Sequence, residues 1–188
     1  RAADNEKTRA MIGSKGRFRI NPRWTFGWDV MAQTDKYFSR RYGISGYTQS
    51  RRTNEVYLTG LNDRNYFDLR FQKFNRQEMD RDHNPETGAP YSSARNARQP
   101  WVLPSFDYSY TPDAPIAGGE LSLDINVQSV RSGVLDSRNF TAEGDPQTIV
   151  YGIEGASTRL TAEAEWKRSF IVPGGLMLTP LLHARADA

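Results

Sequence analysis

The sequence contains no cysteine, which excludes a disulfide framework and a thiolate metal site from these residues. It also lacks any long apolar run. Nothing approaches the roughly 18 consecutive apolar residues that a spanning helix needs, and the mean hydropathy is low, at -0.71. The helical membrane class is thereby excluded. The longest weakly charged stretch, Ser169 to His183, carries Pro173, Gly174, Gly175 and Pro180; these would break a helix, and the stretch reads as a hairpin. Charge of one sign is scarce in the balance, since 25 basic and 22 acidic residues leave only +3. That gives no ground for a nucleic-acid partner, although a pI of about 9.2 permits an anionic one. Histidine is rare as well. His83 falls in a polar loop and His183 in an alternating segment, with no His-x-x-x-His spacing, so a metal site is unsupported. The chain opens at Arg1 without an initiator Met or a charged-then-apolar leader, and no secretory signal is expected within it.

What is present is aromatic side chains and alternation. Four Trp, nine Tyr and nine Phe make up 12% of the 188 residues. Period-two patterning, which sends successive side chains to opposite faces of a strand, recurs through most of the chain. Trp24, Phe26, Trp28, Val30 and Ala32 alternate with Thr25, Gly27, Asp29 and Gln33, and only Met31 disturbs the pattern. Leu121, Leu123, Ile125 and Val127 stand against Glu120, Ser122, Asp124, Asn126 and Gln128. Leu160, Ala162, Ala164 and Trp166 stand against Thr161, Glu163, Glu165 and Lys167. Leu176 to Ala186 follows less sharply. Weaker segments are Lys15 to Asn21, Asn54 to Gly60, Asn65 to Phe74 and Trp101 to Tyr110, so eight strands are predicted. Several are about ten residues long, the length that a tilted strand needs to cross a bilayer core, whereas soluble strands usually run to about five or six.

The connections alternate in length. Asn21-Pro22-Arg23 is tight, Asp35 to Thr53 long, Leu61 to Arg64 tight, Asn75 to Pro100 long, Thr111 to Gly119 moderate, Val130 to Ser157 long, and Ile171 to Gly175 tight. Outer-membrane barrels have short periplasmic turns at one rim and long extracellular loops at the other. Three long loops count against a compact soluble domain, and Arg76 to Arg98 has turn chemistry rather than core chemistry. The expected fold is therefore all-β: an antiparallel transmembrane β-barrel segment, about eight strands of a larger barrel. The larger barrel is expected because the polar faces carry Asp29, Gln33, Glu120, Asp124, Asn126, Gln128, Glu163, Glu165 and Lys167. A narrow closed barrel would have to pair these in a packed interior, whereas a wide lumen wets them. The lipid-facing set would comprise Trp24, Phe26, Trp28, Leu121, Leu123, Ile125, Val127, Leu160 and Trp166. Trp24, Trp101, Tyr108, Tyr110 and Phe170, near strand ends, would sit at headgroup level.

Val102-Leu103-Pro104-Ser105 leading into Tyr108-Ser109-Tyr110, then Gly118-Gly119 and a strand from Glu120, resembles the barrel region of the LptD family of lipopolysaccharide-assembly proteins. Gly155, Arg159, Trp166, Pro173-Gly174-Gly175, Thr179-Pro180 and Arg185-Ala186-Asp187 are similar too, as is Trp24 to Tyr42. The likeness runs from about Gly13 onward and consists of scattered residues, not a catalytic signature. It implies a non-enzymatic, cofactor-free translocon that inserts lipopolysaccharide into the outer leaflet of a Gram-negative outer membrane. An LptE-type lipoprotein plug would occupy the lumen, and a periplasmic Lpt bridge would deliver lipid through an amino-terminal jelly-roll. Residues 1–188 contain neither that jelly-roll nor the cysteines that often link it to the barrel, and are expected to be a partial barrel domain. No gate residue is carried over.

Other candidate sites are weaker. Lys36, Arg40, Arg41, Arg51 and Arg52, interleaved with Tyr37, Phe38, Tyr42 and Tyr47, would suit phosphate-bearing headgroups, though charge runs are usually just solvated. Glu163 and Glu165 point in parallel from one strand face, without the opposed geometry of acid/base catalysis. Asn139-Phe140-Thr141 is a short sequon match, and Gly13, Gly16, Gly43 and Gly46 form no phosphate loop. Pro104 and Pro180 remove ladder hydrogen bonds, as strand-end or bulge prolines do. A porin or outer-membrane receptor shares every physical feature above. A soluble carbohydrate-binding sandwich would instead need the apolar set to meet a second sheet.

Overall fold

The computed structural model describes residues 9–34, 38–77, 99–142 and 145–188. Eight antiparallel strands form one sheet: β1 (Met11–Arg19), β2 (Trp24–Gln33), β3 (Arg51–Asn62), β4 (Asn65–Arg76), β5 (Trp101–Tyr110), β6 (Glu120–Ser132), β9 (Gly155–Lys167) and β12 (Leu181–Asp187). Each pairs with its neighbour in chain order. The sheet is open, with β1 and β12 as its edges. Two small hairpins lie outside it, β7 (Asp136–Ala142) with β8 (Asp145–Gly152), and β10 (Phe170–Ile171) with β11 (Met177–Leu178). All eight alternating segments of the sequence are strands of the main sheet.

Local chemistry sets the turns. At the β1–β2 turn the Asn21 side-chain oxygen accepts the amides of Arg23 and Trp24, both at 2.9 Å, so it stands in for a backbone carbonyl. Between β3 and β4 only Asp63 and Arg64 separate the paired Asn62 and Asn65, and Asp63 takes φ 43°. The β5–β6 connection tightens on Ala117 (φ 52°) and Gly118 (φ 74°), closed by reciprocal bonds between Ile116 and Gly119. These three turns and the β9–β12 connection share one rim. At the other rim lie the segment 38–50 before β3, the end of β4, the start of β5 and the β7–β8 excursion.

Two connections differ from expectation. The stretch from Val130 to Ser157 is not a plain loop: β6 runs on to Ser132, β9 starts at Gly155, and the β7–β8 hairpin fills the interval. The last strand begins at Leu181, not Leu176. Pro180 has no N–H to give to the ladder, so the chain rejoins the sheet only after it, and Leu176 to Leu178 belong to a rim hairpin turning on Gly174 and Gly175. Pro104 does sit at a bulge. Opposite β6 the register jumps from Val102 to Ser105, and opposite β4 from Arg70 to Gln72, so both ladders open at Leu103-Pro104. The exposure expected of Arg76 to Arg98, and His83 with it, falls almost wholly outside the described residues.

Glycines sit where aromatic rings cross the sheet. Gly16 pairs with Trp28, Gly27 with Tyr57 and Gly60 with Trp24, and each ring lies over its glycine where a Cβ would stand.

Candidate functional site: a two-faced sheet

Register converts the alternation of single strands into two continuous surfaces. One row of paired residues reads Phe18, Phe26, Leu58, Leu69, Phe106, Val127 and Leu160 from β1 to β9. The row one residue along reads Arg19, Thr25, Thr59, Asp68, Asp107, Asn126, Thr161 and Asp187 from β1 to β12. Every member of the first is apolar and every member of the second polar. Because side chains alternate across the pleat, the two rows face opposite ways.

Nothing among the described residues covers the apolar face. Among the described residues the buried apolar side chains are Met31 and Val102, and both lie on the opposite, polar side by register. Phe18, Phe71, Trp101, Leu160 and Leu182 remain substantially exposed. The face is consolidated by its own aromatics: Trp24 and Phe67 rings lie 5.0 Å apart, Phe67 and Phe106 5.3 Å, and Phe106, Tyr108 and Tyr110 stack at 6.3 Å intervals. Trp28 and Trp166 satisfy their indole N–H groups locally, on Ser14 Oγ at 2.9 Å and the Ile116 carbonyl at 2.8 Å.

The polar face is an ionic lattice. Asp29 takes Lys15 at 3.4 Å and, more closely, Arg52. Arg70 grips Asp68 at 2.8 Å, reaches Glu55 at 3.4 Å and lies over the Tyr57 ring, while Tyr66 donates to Asp68 at 2.8 Å. Asp68 and Asp107 are direct cross-strand neighbours, which repel. They are tolerated because Arg70 neutralises one and the Asn126 amide donates to the other at 2.5 Å. Glu120 is shared by Arg64 and Lys167. Glu163 meets Arg185 at 2.8 Å and His183 at 3.7 Å, and Asp187 holds Arg185 and Thr161, each at 2.7 Å. Glu163 and Glu165 lie side by side, each paired to a base, an arrangement that holds charge and does not flank a scissile bond.

The residues singled out in the sequence fall into place by register. Asp29 and Gln33 on β2, Glu120, Asp124, Asn126 and Gln128 on β6, and Glu163, Glu165 and Lys167 on β9 share the polar face. Trp24, Phe26, Trp28, Leu121, Leu123, Ile125, Val127, Leu160 and Trp166 share the other. The basic group is divided. Lys36 lies outside the described residues, Arg40 and Arg41 end the four-residue helix α1 (Phe38–Arg41), and Arg51 and Arg52 open β3. Arg52 is buried: it faces Asp29, stacks on Tyr47 at 4.5 Å and donates to the Gly46 carbonyl. Arg40 donates to the Gln77 carbonyl at 3.3 Å.

These contacts reveal what the sequence left open. The segment 38–50 folds over the polar face, where Tyr47 packs beside Gly13, the Ser39 amide donates to Gln33, and the fully buried Gln77 amide donates to the Tyr47 and Gln49 carbonyls. Met31, the residue that broke the alternation of β2, is the apolar side chain this cover needs. The cluster of Glu55, Asp68 and Arg70 lies outside the candidate sites of the sequence, yet Asp68, Arg70 and Gln72 alternate visibly with Phe67, Leu69 and Phe71. Among the described residues no group of three or more His, Asp and Glu converges as a metal site would.

The family model described as LptD, LPS transport system D, matches residues 7–188. The chain belongs to the LptD family. No curated protein and no solved structure matches it significantly. LptD-family proteins serve lipopolysaccharide transport and outer-membrane biogenesis in Gram-negative bacteria, as a transport and assembly family rather than a family of enzymes. An open, eight-stranded antiparallel sheet with one apolar and one ionic surface is the part of that system in view.

Proposed function

We propose that this chain is an arc of a larger transmembrane β-barrel that inserts lipopolysaccharide into the outer leaflet of the outer membrane. The apolar rows face acyl chains and the ionic rows line a wetted lumen, with the long-connection rim at the cell surface and the short-turn rim in the periplasm. The observation that carries the reading is the uncovered apolar face spanning seven paired strands. A soluble monomer rarely exposes more than a few hundred Å² of contiguous apolar surface, and in hydrocarbon a sheet must close so that no backbone group is left unpaired. The open edges β1 and β12 are accordingly where further strands would continue the barrel.

Lipopolysaccharide, an LptE-type plug in the lumen and a periplasmic Lpt bridge acting through an amino-terminal jelly-roll are the partners this role calls for. The lattice of Asp29, Asp68, Arg70, Glu163 and Arg185 suits the passage or docking of a polar, phosphate-bearing cargo, since paired guanidinium and carboxylate groups can exchange partners.

Spin labels at Leu123, Ile125 and Asp124 of the complete protein in liposomes test the orientation. The first two are expected to collide with oxygen dissolved in the bilayer and the third with a water-soluble nickel chelate. Protein-buried labels at Leu123 and Ile125 would defeat the barrel reading. Depleting the complete protein should stop lipopolysaccharide reaching the cell surface; unaffected surface lipid together with open ion conductance would make it a porin instead.

A further inference from the structure

The apolar face is not uniformly filled. Backbone pairing of β2 with β3 stops at Asp29 and Glu55. Beyond that point the Asn54 side chain takes over, accepting the Met31 amide at 2.9 Å and donating to the Met31 carbonyl at 3.1 Å. A side chain inserted where a strand would pair holds β2 away from β3. The residues of β1 and β2 on the apolar face beside the gap include Ser14 and Ala32, too small to fill it. The result is a furrow of about 450 Å³ near the long-connection rim, walled by Ile12, Val30, Val56, Phe71, Trp101 and Leu103.

At one edge of this apolar furrow stands a cation. Lys73 lies on the apolar face by register, opposite Asn54 and Trp101. Its ammonium sits 4.7 Å from the Trp101 ring centre and donates to the Gln99 carbonyl at 2.8 Å. An ammonium has three donors, so among the described residues two remain for another acceptor. Glu55, the carboxylate nearest in the lining, is turned to the polar face, where Arg70 and Gln72 engage it. Hydrocarbon walls beside a cation that no carboxylate opposes among the described residues match an amphiphile with an apolar tail and an anionic head.

We propose that this furrow is a binding site for a single anionic membrane lipid, one acyl chain lying between β2 and β3 and its phosphate meeting Lys73. The proposal rests on the orientation given above, in which the apolar face looks at the membrane. It differs from the transport path, which runs through the lumen: this is a fixed lipid on the outer wall, sealing a place where the backbone ladder is interrupted.

The test uses the complete protein in phosphatidylcholine nanodiscs doped with photoactivatable phosphatidylglycerol or with phosphatidylcholine bearing the same reactive chain. Crosslinks from phosphatidylglycerol are expected to concentrate at Val30, Phe71 and Leu103, about fivefold above those from phosphatidylcholine, the preference one lysine near a membrane surface confers. Lys73→Gln should abolish the headgroup preference and leave chain labelling in place; Ala32→Trp should block the furrow and remove the labelling for both lipids. Even labelling along the whole apolar face, including Leu123 and Ile125, without headgroup preference would overturn the site while leaving the barrel orientation intact. Labelling confined to the polar face would overturn both.

Discussion

The orientation of β6 makes a graded prediction about arginine scanning. The strand runs 13 residues from Glu120 to Ser132, so Asn126 is its midpoint. A strand rises about 3.3 Å per residue, and a tilt near 45° leaves about 2.3 Å of that along the membrane normal. In the proposed barrel, with the strand centred on the bilayer, Ile125 and Val127 would lie about 2 Å from the midplane and Leu121 about 12 Å away, at the edge of an apolar band about 25 Å tall. Arg131, five residues beyond the midpoint and on the same face as Leu121, would in the proposed barrel sit at the matching depth on the other side, with its guanidinium at headgroup level. Ile125→Arg should therefore cost about 2–4 kcal/mol and Leu121→Arg about 0–1 kcal/mol. The assay is the denaturant midpoint of the complete protein refolded into phospholipid vesicles. Equal costs at the two positions would refute the depth assignment, and so would a greater loss for Asp124→Leu than for Ile125→Arg.

Other expectations concern the polar face and the turns. Asp29→Asn should cost about 1–3 kcal/mol because it strips the charge partner from the buried Arg52. Lys15→Gln, which removes an exposed partner of the same carboxylate, should cost under about 1 kcal/mol; a double-mutant cycle on unfolding midpoints separates the two. Gly27→Val should lose about 1–3 kcal/mol by driving a side chain into the Tyr57 ring, while Gly133→Ala, with open space around it, should leave the same midpoint unchanged. In the β3–β4 turn, Asp63→Gly should raise stability by up to about 1 kcal/mol because φ 43° costs any residue with a Cβ, and Asp63→Val should lower it. The exposed pair of Glu163 and Arg185 should contribute less at high salt, so Arg185→Ala should weaken the protein measurably at low ionic strength and little at 1 M.

Much of this protein is written in the order of its residues. Alternation from Leu121 to Gln128 needs no partner to separate greasy from wet, because a strand's pleat does so by itself, and Asn21 or Asp63 can set a turn from within a few residues. Local signals placed some strand ends, as at Trp24, Asn65, Trp101 and Glu120, but β1 starts four residues before Lys15, β3 three before Asn54 and β9 three before Thr158, and Pro180 delays β12. What one residue contributes to a distant strand was not legible. Met31 looked like a flaw in β2 until segment 38–50 lay across it, and Arg52 looked like a solvated loop charge until Asp29 and Tyr47 closed around it. Asn54 gave no sign that its amide would replace a backbone pair. Those outcomes depend on register, which matches residues as far apart in sequence as Glu120 and Lys167. The sequence alone determined that there would be two faces; the pairing of strands decided which side chains share them, where the ladder breaks and what covers the polar side, because hydrogen bonding between strands carries no signature in either strand read singly.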